Sequence, residues 1–207
     1  MMPLKKTGYS NTTSKNYLIN AATIYTGVKY EDVAGEFTGT LHGATSGGVT
    51  LTIEQTYRDI EIDGTSHMKV KGNKVLEAAT ATAVANMKEL TAENIRKSIN
   101  GTMRDAVVGE APVGYQVIET KRYLEDGDYI ENMAIVGTLS GTDKPVIAIL
   151  DNAISTGGLE LGTEDNNEAV VEQTYEAHAT VEQLDADQYP WRILFPTVDG
   201  VEEQPAP

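Results

Sequence analysis

Residues 168–182, EAVVEQTYEAHATVE, repeat with a period of two. Ala169, Val171, Tyr175, Ala177, Ala179 and Val181 form one apolar series, broken only by Gln173. The interleaved series is Glu168, Val170, Glu172, Thr174, Glu176, His178, Thr180 and Glu182. In a strand, successive side chains leave opposite faces of a sheet, so this pattern demands one buried face and one carboxylate- and hydroxyl-bearing face. A wet face of this kind is either plain solvent surface or a wall that repels another polyanion.

Other segments also read as strands. Val49, Leu51 and Ile53 alternate with Thr50, Thr52, Glu54 and Thr56, and the parity flips near Arg58 and Asp59, as a bulge or bend requires. Asp63-Gly64 signals a turn. In Val75–Leu90, Ala79, Ala81, Ala83, Ala85 and Met87 share one face; the interleaved Thr80, Thr82 and Val84 favour strand over helix. Tyr17–Thr26 is β-like. Met133–Leu139 and Val146–Leu150 flank a turn at Ser140–Pro145 and predict a hairpin. The unbroken Val146-Ile147-Ala148-Ile149-Leu150 run suits a strand covered on both faces. Glu164–Asn167 reads as a turn, and Tyr189–Pro196 as an aromatic edge strand fenced by prolines.

One helix stands out, in Thr91–Gly101. Thr91 can cap the first amides, Glu93 suits the positive end of the dipole, and Arg96 and Lys97 suit the negative end. Residues 30–48 hold five of the 19 glycines and predict a long irregular loop. The expected architecture is therefore all-β, a β-sandwich with one short helix. It would comprise a flexible arm over 1–15, a domain over 16–196 and a tail over 197–207.

Charge narrows the function. The net charge is −15, and residues 151–207 hold one basic side chain, Arg192, against 13 Asp and Glu. A segment this acidic cannot grip nucleic acid or anionic lipid, because binding a polyphosphate depends on Lys and Arg displacing counterions. No apolar run approaches the roughly 20 residues that cross a bilayer, and the lysine-containing start lacks the apolar stretch of a secretory signal. With no cysteine there is no disulfide or thiolate chemistry.

Catalytic and metal motifs are weak. Asp59, Glu61, Asp63 and Gly64 resemble the start of a calcium loop, but Glu61 stands at its third position and Val70 at its twelfth. His42, His67 and His178 have no ligand spacing. Gly43–Gly47 misses the nucleophile-elbow pattern and lacks a phosphate-loop ending. Glu172 and Glu176 stand about 13 Å apart along one strand, too far for a glycosidase pair. The sequence therefore implies no enzyme, cofactor or metal.

Four strings, in order, carry a family resemblance: GATSGGVTLTIEQTYRDIEIDG (43–64), LTAENIRKSIN (90–100), VGTLSGTDKPVIAIL (136–150) and DNNEAVVEQTYEAHA (165–179). Together they resemble the major tail tube proteins of long-tailed, siphovirus-type bacteriophages. That resemblance implies a sandwich whose strands join into a ring-wide inner barrel, in hexameric rings stacked into a tube for DNA ejection. It further implies a virion protein made in the host bacterial cytoplasm, with tape-measure, tail-terminator and distal tail proteins as partners. DNA would pass without specific binding, and no membrane is involved. Under this reading Thr50, Thr52, Glu54, Thr56, Glu168, Glu172, Thr174 and Glu176 would line the lumen. Asp32, Phe37, Leu41 and His42 would reach the next ring. The alternatives are the tube of a phage-derived bacteriocin or contractile injection device, and a secreted or cell-surface β-sandwich binding module.

Overall fold

The computed structural model describes residues 7–197 except Asn11, 65–66, Glu164 and 166–167. The expected Glu164–Asn167 turn and the tail from 198 onward fall outside the described residues. The chain is all-β. Its strands are β1 (Leu18–Glu31), β2 (Glu36–Leu41), β3 (Thr45–Asp59), β4 (Lys74–Met87), β5 (Gly101–Asp105), β6 (Gln116–Thr120), β7 (Ile130–Leu139), β8 (Pro145–Ser155), β9 (Leu161–Gly162), β10 (Val170–Glu176) and β11 (Trp191–Leu194). Among the described residues two short α-helices interrupt them, α1 (Ala92–Ser98) and α2 (Val181–Asp185), with 3-10 turns at Thr13–Lys15 and Asp126–Asp128.

The main antiparallel path runs β2-β1-β7-β8-β10-β4-β3, with β11 also paired to β8 and β9 to β10. β8 is the corner: it pairs with β7 over Ile130–Thr138 and, at its far end, with Tyr175 and Glu176 of β10. The path folds over there. Ile24, Met133, Ile135, Ala148 and Leu150 on one limb pack against Ala81, Ala83, Ala85, Met87 and Tyr175 on the other. This is the expected sandwich, and the alanines of β4 let the two layers approach closely. β8 is buried on both faces, as its unbroken apolar run requires.

A second cluster, Val28, Ala134, Ile147 and Ile149, lies on the reverse face of β1, β7 and β8. Gly27 (φ 65) sits where the β1–β7 pairing ends and the β1–β2 register shifts. The hairpin tip beyond it shares a groove with the β7–β8 turn and the end of β11. The hairpin thus turns back across its own sheet.

This corrects the expected 30–48 loop, most of which is paired strand. Its glycines have separate tasks. Gly35 (φ 69) makes the hairpin turn, and a Cβ on Gly39 would meet Val28 Cγ2 at 2.8 Å. Gly47 (φ 78) and Gly48 (φ 87) occupy a bulge in β3. The expected irregularity lies between Thr56 and Tyr57, but its extra residue is Glu77 of β4; β3 itself runs on unbroken to Asp59.

Helix α1 begins as expected, with the Thr91 hydroxyl accepting from Asn94 N–H at 3.1 Å. Asn100 (φ 48), not Gly101, takes the left-handed position past its end. Gly101 serves a different need, because a Cβ there would lie 2.6 Å from the Glu119 carbonyl oxygen across the β5–β6 pair. Near the amino terminus, Ser140 Oγ donates to the Ser14 carbonyl at 2.6 Å, fastening the end of the expected arm to the β7–β8 turn.

Gly101→Ala should therefore cost about 1–3 kcal/mol in urea unfolding, since backbone must shift to admit the methyl. Gly127→Ala, where the methyl meets open space, should stay within about 0.5 kcal/mol.

Candidate functional surface

β4 is the central strand of a three-stranded layer. On one side Thr50 pairs with Val84, Thr52 with Thr82, Glu54 with Thr80 and Thr56 with Ala78. On the other, Glu172 pairs with Asn86, Thr174 with Val84 and Glu176 with Thr82. Antiparallel partners point to the same face of a sheet. The two polar series expected from separate parts of the sequence therefore share one face. Thr50–Val84–Thr174 and Thr52–Thr82–Glu176 form continuous rows across it. The opposite face carries Leu51, Ile53, Ala81, Ala83, Ala85 and Tyr175 into the core.

None of these positions is Lys or Arg; the β3 series reaches a cation only at Arg58, two residues beyond Thr56 and opposite Val75. Glu54, Glu172, Thr50, Thr52 and Thr56 are exposed, while Thr174 and Glu176 are half-buried. Glu172 and Glu176 stand about 13 Å apart along β10. That exceeds the screening length of about 8 Å at physiological salt, so one subunit carries this charge at little cost to its own stability. Glu168 differs. Just before β10, it is ion-paired with Lys88 at 2.9 Å, which holds its carboxyl below the ordinary range. The end of the face is locally neutral.

Arg192, the one cation of the acidic segment, is also engaged. Its guanidinium donates to both carboxylate oxygens of Asp151, at 3.0 and 2.9 Å. Gln183 Nε2 adds a third bond to Asp151 at 3.0 Å, so the knot ties α2 and β11 to β8.

Two sequence expectations for β10 change. The strand ends at Glu176, and Thr180 starts α2: its hydroxyl accepts from Gln183 N–H at 3.2 Å while the Gln183 side chain accepts from Thr180 N–H at 3.0 Å. This reciprocal cap was legible as Thr-x-x-Gln. Val181 is consequently exposed rather than buried. Gln173, the exception in the apolar series, does face inward, into a polar network.

That network also claims His42. Tyr175 Oη donates to Gln173 Oε1 at 2.7 Å. With its single proton committed, Tyr175 accepts from His42, so His42 carries its proton on Nε2, 2.9 Å away. Gln173 Nε2 donates to the Asn94 carbonyl at 3.2 Å and to Ser98 Oγ. Ser155 Oγ donates to the Ser98 carbonyl at 2.9 Å. The chain of bonds joins the β2–β3 link, β10, α1 and β8. His42 is only 8% exposed, which removes its ring from the expected inter-ring contact. Burial, helped by the charge on Lys97 and opposed by a Gln173 hydrogen bond and Glu93, lowers its pKa to about 4. Burial pushes the Tyr175 hydroxyl well above its ordinary value.

Asp32, Phe37 and Leu41 are exposed, with Phe37 beside Tyr30 at a ring separation of 5.2 Å. Asp59, Glu61 and Asp63 line an open hollow with His67 at the β3–β4 link. Among the described residues no three His, Asp or Glu side chains could hold a metal ion. The histidines lie apart, with His178 ring-to-ring against Tyr129 at 5.8 Å. No described helix is long and apolar enough to cross a membrane.

No family model matches the chain, and no curated protein matches it. Similar solved structures include a chain in the virion of a native gene transfer agent particle, at 13% identity over 77% of this chain and 92% of that one, TM-score 0.37. Another lies in the tail of an empty particle of that agent with C6 symmetry, at 11% identity over 77% and 92%, TM-score 0.40. A third lies in the six-fold symmetrised baseplate of an anti-feeding prophage, at 11% identity over 86% and 95%, TM-score 0.41. Likeness this distant leaves function to be argued from the chain's own surfaces.

Two measurements test the buried network. Tyr175→Phe should cost about 2 kcal/mol, because it strands the Gln173 oxygen and the His42 N–H. Neutral His42 should stabilise the fold fully above pH 6.5 and lose that contribution as pH falls to about 4. The loss should be on the order of 3 kcal/mol. His42→Gln should flatten this part of the stability–pH curve; an unchanged slope would show that His42 does not produce it.

Proposed function

We propose that this chain is the repeating subunit of a phage-type tail tube, a non-enzymatic structural protein that closes into hexameric rings and stacks them around a DNA channel. The observation that carries the reading is the shared polar face of β3, β4 and β10, where the rows from Thr50 to Thr56 and from Glu172 to Glu176 hold carboxylates and hydroxyls and no cation; Arg58 and Lys74 lie beyond them, toward the β3–β4 link. The four sequence strings that resemble tail tube proteins supply the family; the face supplies a reason for it. A DNA conduit must not bind its cargo, since each phosphate-contacting Lys or Arg adds affinity and hence friction. Thr50, Thr52, Glu54, Thr56, Glu172, Thr174 and Glu176 face the bore in this reading. Glu168, neutralised by Lys88, marks the face's margin.

Edges support assembly. β3 is a 15-residue strand whose only described partner is β4, leaving its outer edge for another copy. An unprotected strand of that length invites pairing, and a ring satisfies every such edge at once. Asp32, Phe37 and Leu41 remain the hairpin residues proposed for inter-ring contact. The tape-measure, terminator and distal tail proteins implied by the resemblance would meet the ends of the stack.

Negative-stain microscopy of the purified protein should reveal rings or tubes with a stain-filled centre; monomers persisting at high concentration would overturn the proposal. Assembled wild-type particles should not retain duplex DNA. Those carrying Glu54→Lys, Glu172→Lys and Glu176→Lys should bind it, with affinity falling steeply as salt rises. Wild-type particles that already hold DNA salt-dependently would contradict the channel assignment.

A further inference from the structure

The β5–β6 hairpin ends in a loop, residues 106–115, that is apolar yet held in one shape. Val108 and Val113 are fully exposed, and Val107 and Tyr115 largely so. The loop is braced from within. Arg104 grips Glu110 through two bonds of 2.8 and 2.7 Å, Val107 N–H donates to Glu110 Oε2 at 3.2 Å, and Ala106 N–H donates to the Tyr115 carbonyl at 2.9 Å. A loop that presents valines to water while its backbone is pinned is preorganised, so docking it costs little ordering entropy.

The same chain carries a concave counterpart. Tyr30 and Phe37 from the hairpin tip, Pro145 from the β7–β8 turn, and Leu194, Phe195 and Pro196 from the end of β11 line an open groove of about 630 Å³. Phe195 and Phe37 are both exposed there. A volume in the range of ligand-sized clefts accommodates two or three small aliphatic side chains.

Charge identifies the occupant. Copies bearing −15 each repel one another and can meet only where carboxylates are sparse or paired. The sole acid of loop 106–115 is Glu110, already neutralised by Arg104. The groove's lining sets Lys144 against two carboxylates, Glu36 and Asp143, so it admits a surface that brings no free carboxylate of its own, as loop 106–115 does. We infer that the valine-bearing β5–β6 loop of one copy inserts into the Tyr30–Phe37–Phe195 groove of a second copy. The knob and the hole are different surfaces of one chain, so the contact is heterologous and propagates from copy to copy. The inference deepens the tube reading, which supplies the need for such a contact.

The chain has no cysteine, so introduced thiols report cleanly. Full-length protein with both Val108→Cys and Phe195→Cys, oxidised at assembling concentration, should give a ladder of covalent dimers, trimers and longer species on a denaturing gel. Each single variant should stop at dimer. Val108→Asp and Phe195→Asp should each raise the concentration needed for assembly on the order of tenfold or more. Mixed one to one, they should form heterodimers through the one knob and one hole left intact. Unchanged circular dichroism and melting keep a folding failure from imitating these results. Wild-type tubes with no ladder and undisturbed assembly of both Asp variants would overturn the inference and leave the tube reading standing. A ladder from protein that never forms rings would sustain the contact and remove the tube. Absence of any ladder, with Phe195→Cys becoming thiol-reactive only after deletion of residues 198–207, would assign the groove to the chain's own terminus and overturn the inference.

Discussion

The register of β4 between β3 and β10 governs this molecule. β4 contributes almost no polar bulk of its own; its alanines form the floor of the core, and its threonines fill the spaces between carboxylates on the far side. Because side chains alternate, a slip of one residue on either flank would exchange the two faces, burying Glu54 or Glu176 and exposing Leu51 or Tyr175. Burying a carboxylate without a partner is costly enough that the observed register has no close competitor. Register thus fixes the core and the electronegative surface together.

The two surfaces are specified by different means. The core layer relies on small residues and close packing, supplemented by one polar chain from His42 to Ser155. Such a network is stabilising only when every member is satisfied, and here the donors and acceptors follow one another in a single consistent order. The polar face needs no such order. Threonine and glutamate keep water on it, Lys88 at its margin is held by Glu168, and Arg192 is held by Asp151 on β8, while Arg58 and Lys74 stand at the far end of the β3–β4 pair, beyond Thr56.

Much of the fold was legible because these strands have one wet and one dry side. β3, β4, the β7–β8 hairpin and β11 all follow patterns visible in the chain, as does the Thr91 cap of α1. What escaped did so for identifiable reasons. The β1–β2 hairpin was hidden by glycines that serve a turn, a close approach at Gly39 and a bulge, three demands that resemble a loop in one dimension. Helix α2 lay under a run whose alternation outlasts the strand, and only the Thr180–Gln183 cap marked the change. Gln173 broke the apolar pattern because its partners, Asn94 and Ser98, are some eighty residues away in the chain. His42 followed the same rule: nothing local announces a histidine whose partner is Tyr175. The polar face itself could be anticipated strand by strand, but its unity depended on pairings that alternation cannot supply.

A helical reconstruction of the assembled particle by electron cryomicroscopy tests the central claim most directly. The account predicts that the layer formed by β10, β4 and β3 is the innermost one, with Thr52, Glu54 and Glu176 nearer the axis than Leu51 and Ala83. Density that places this layer on the outer wall, or brings a lysine-bearing surface to the bore, would contradict it.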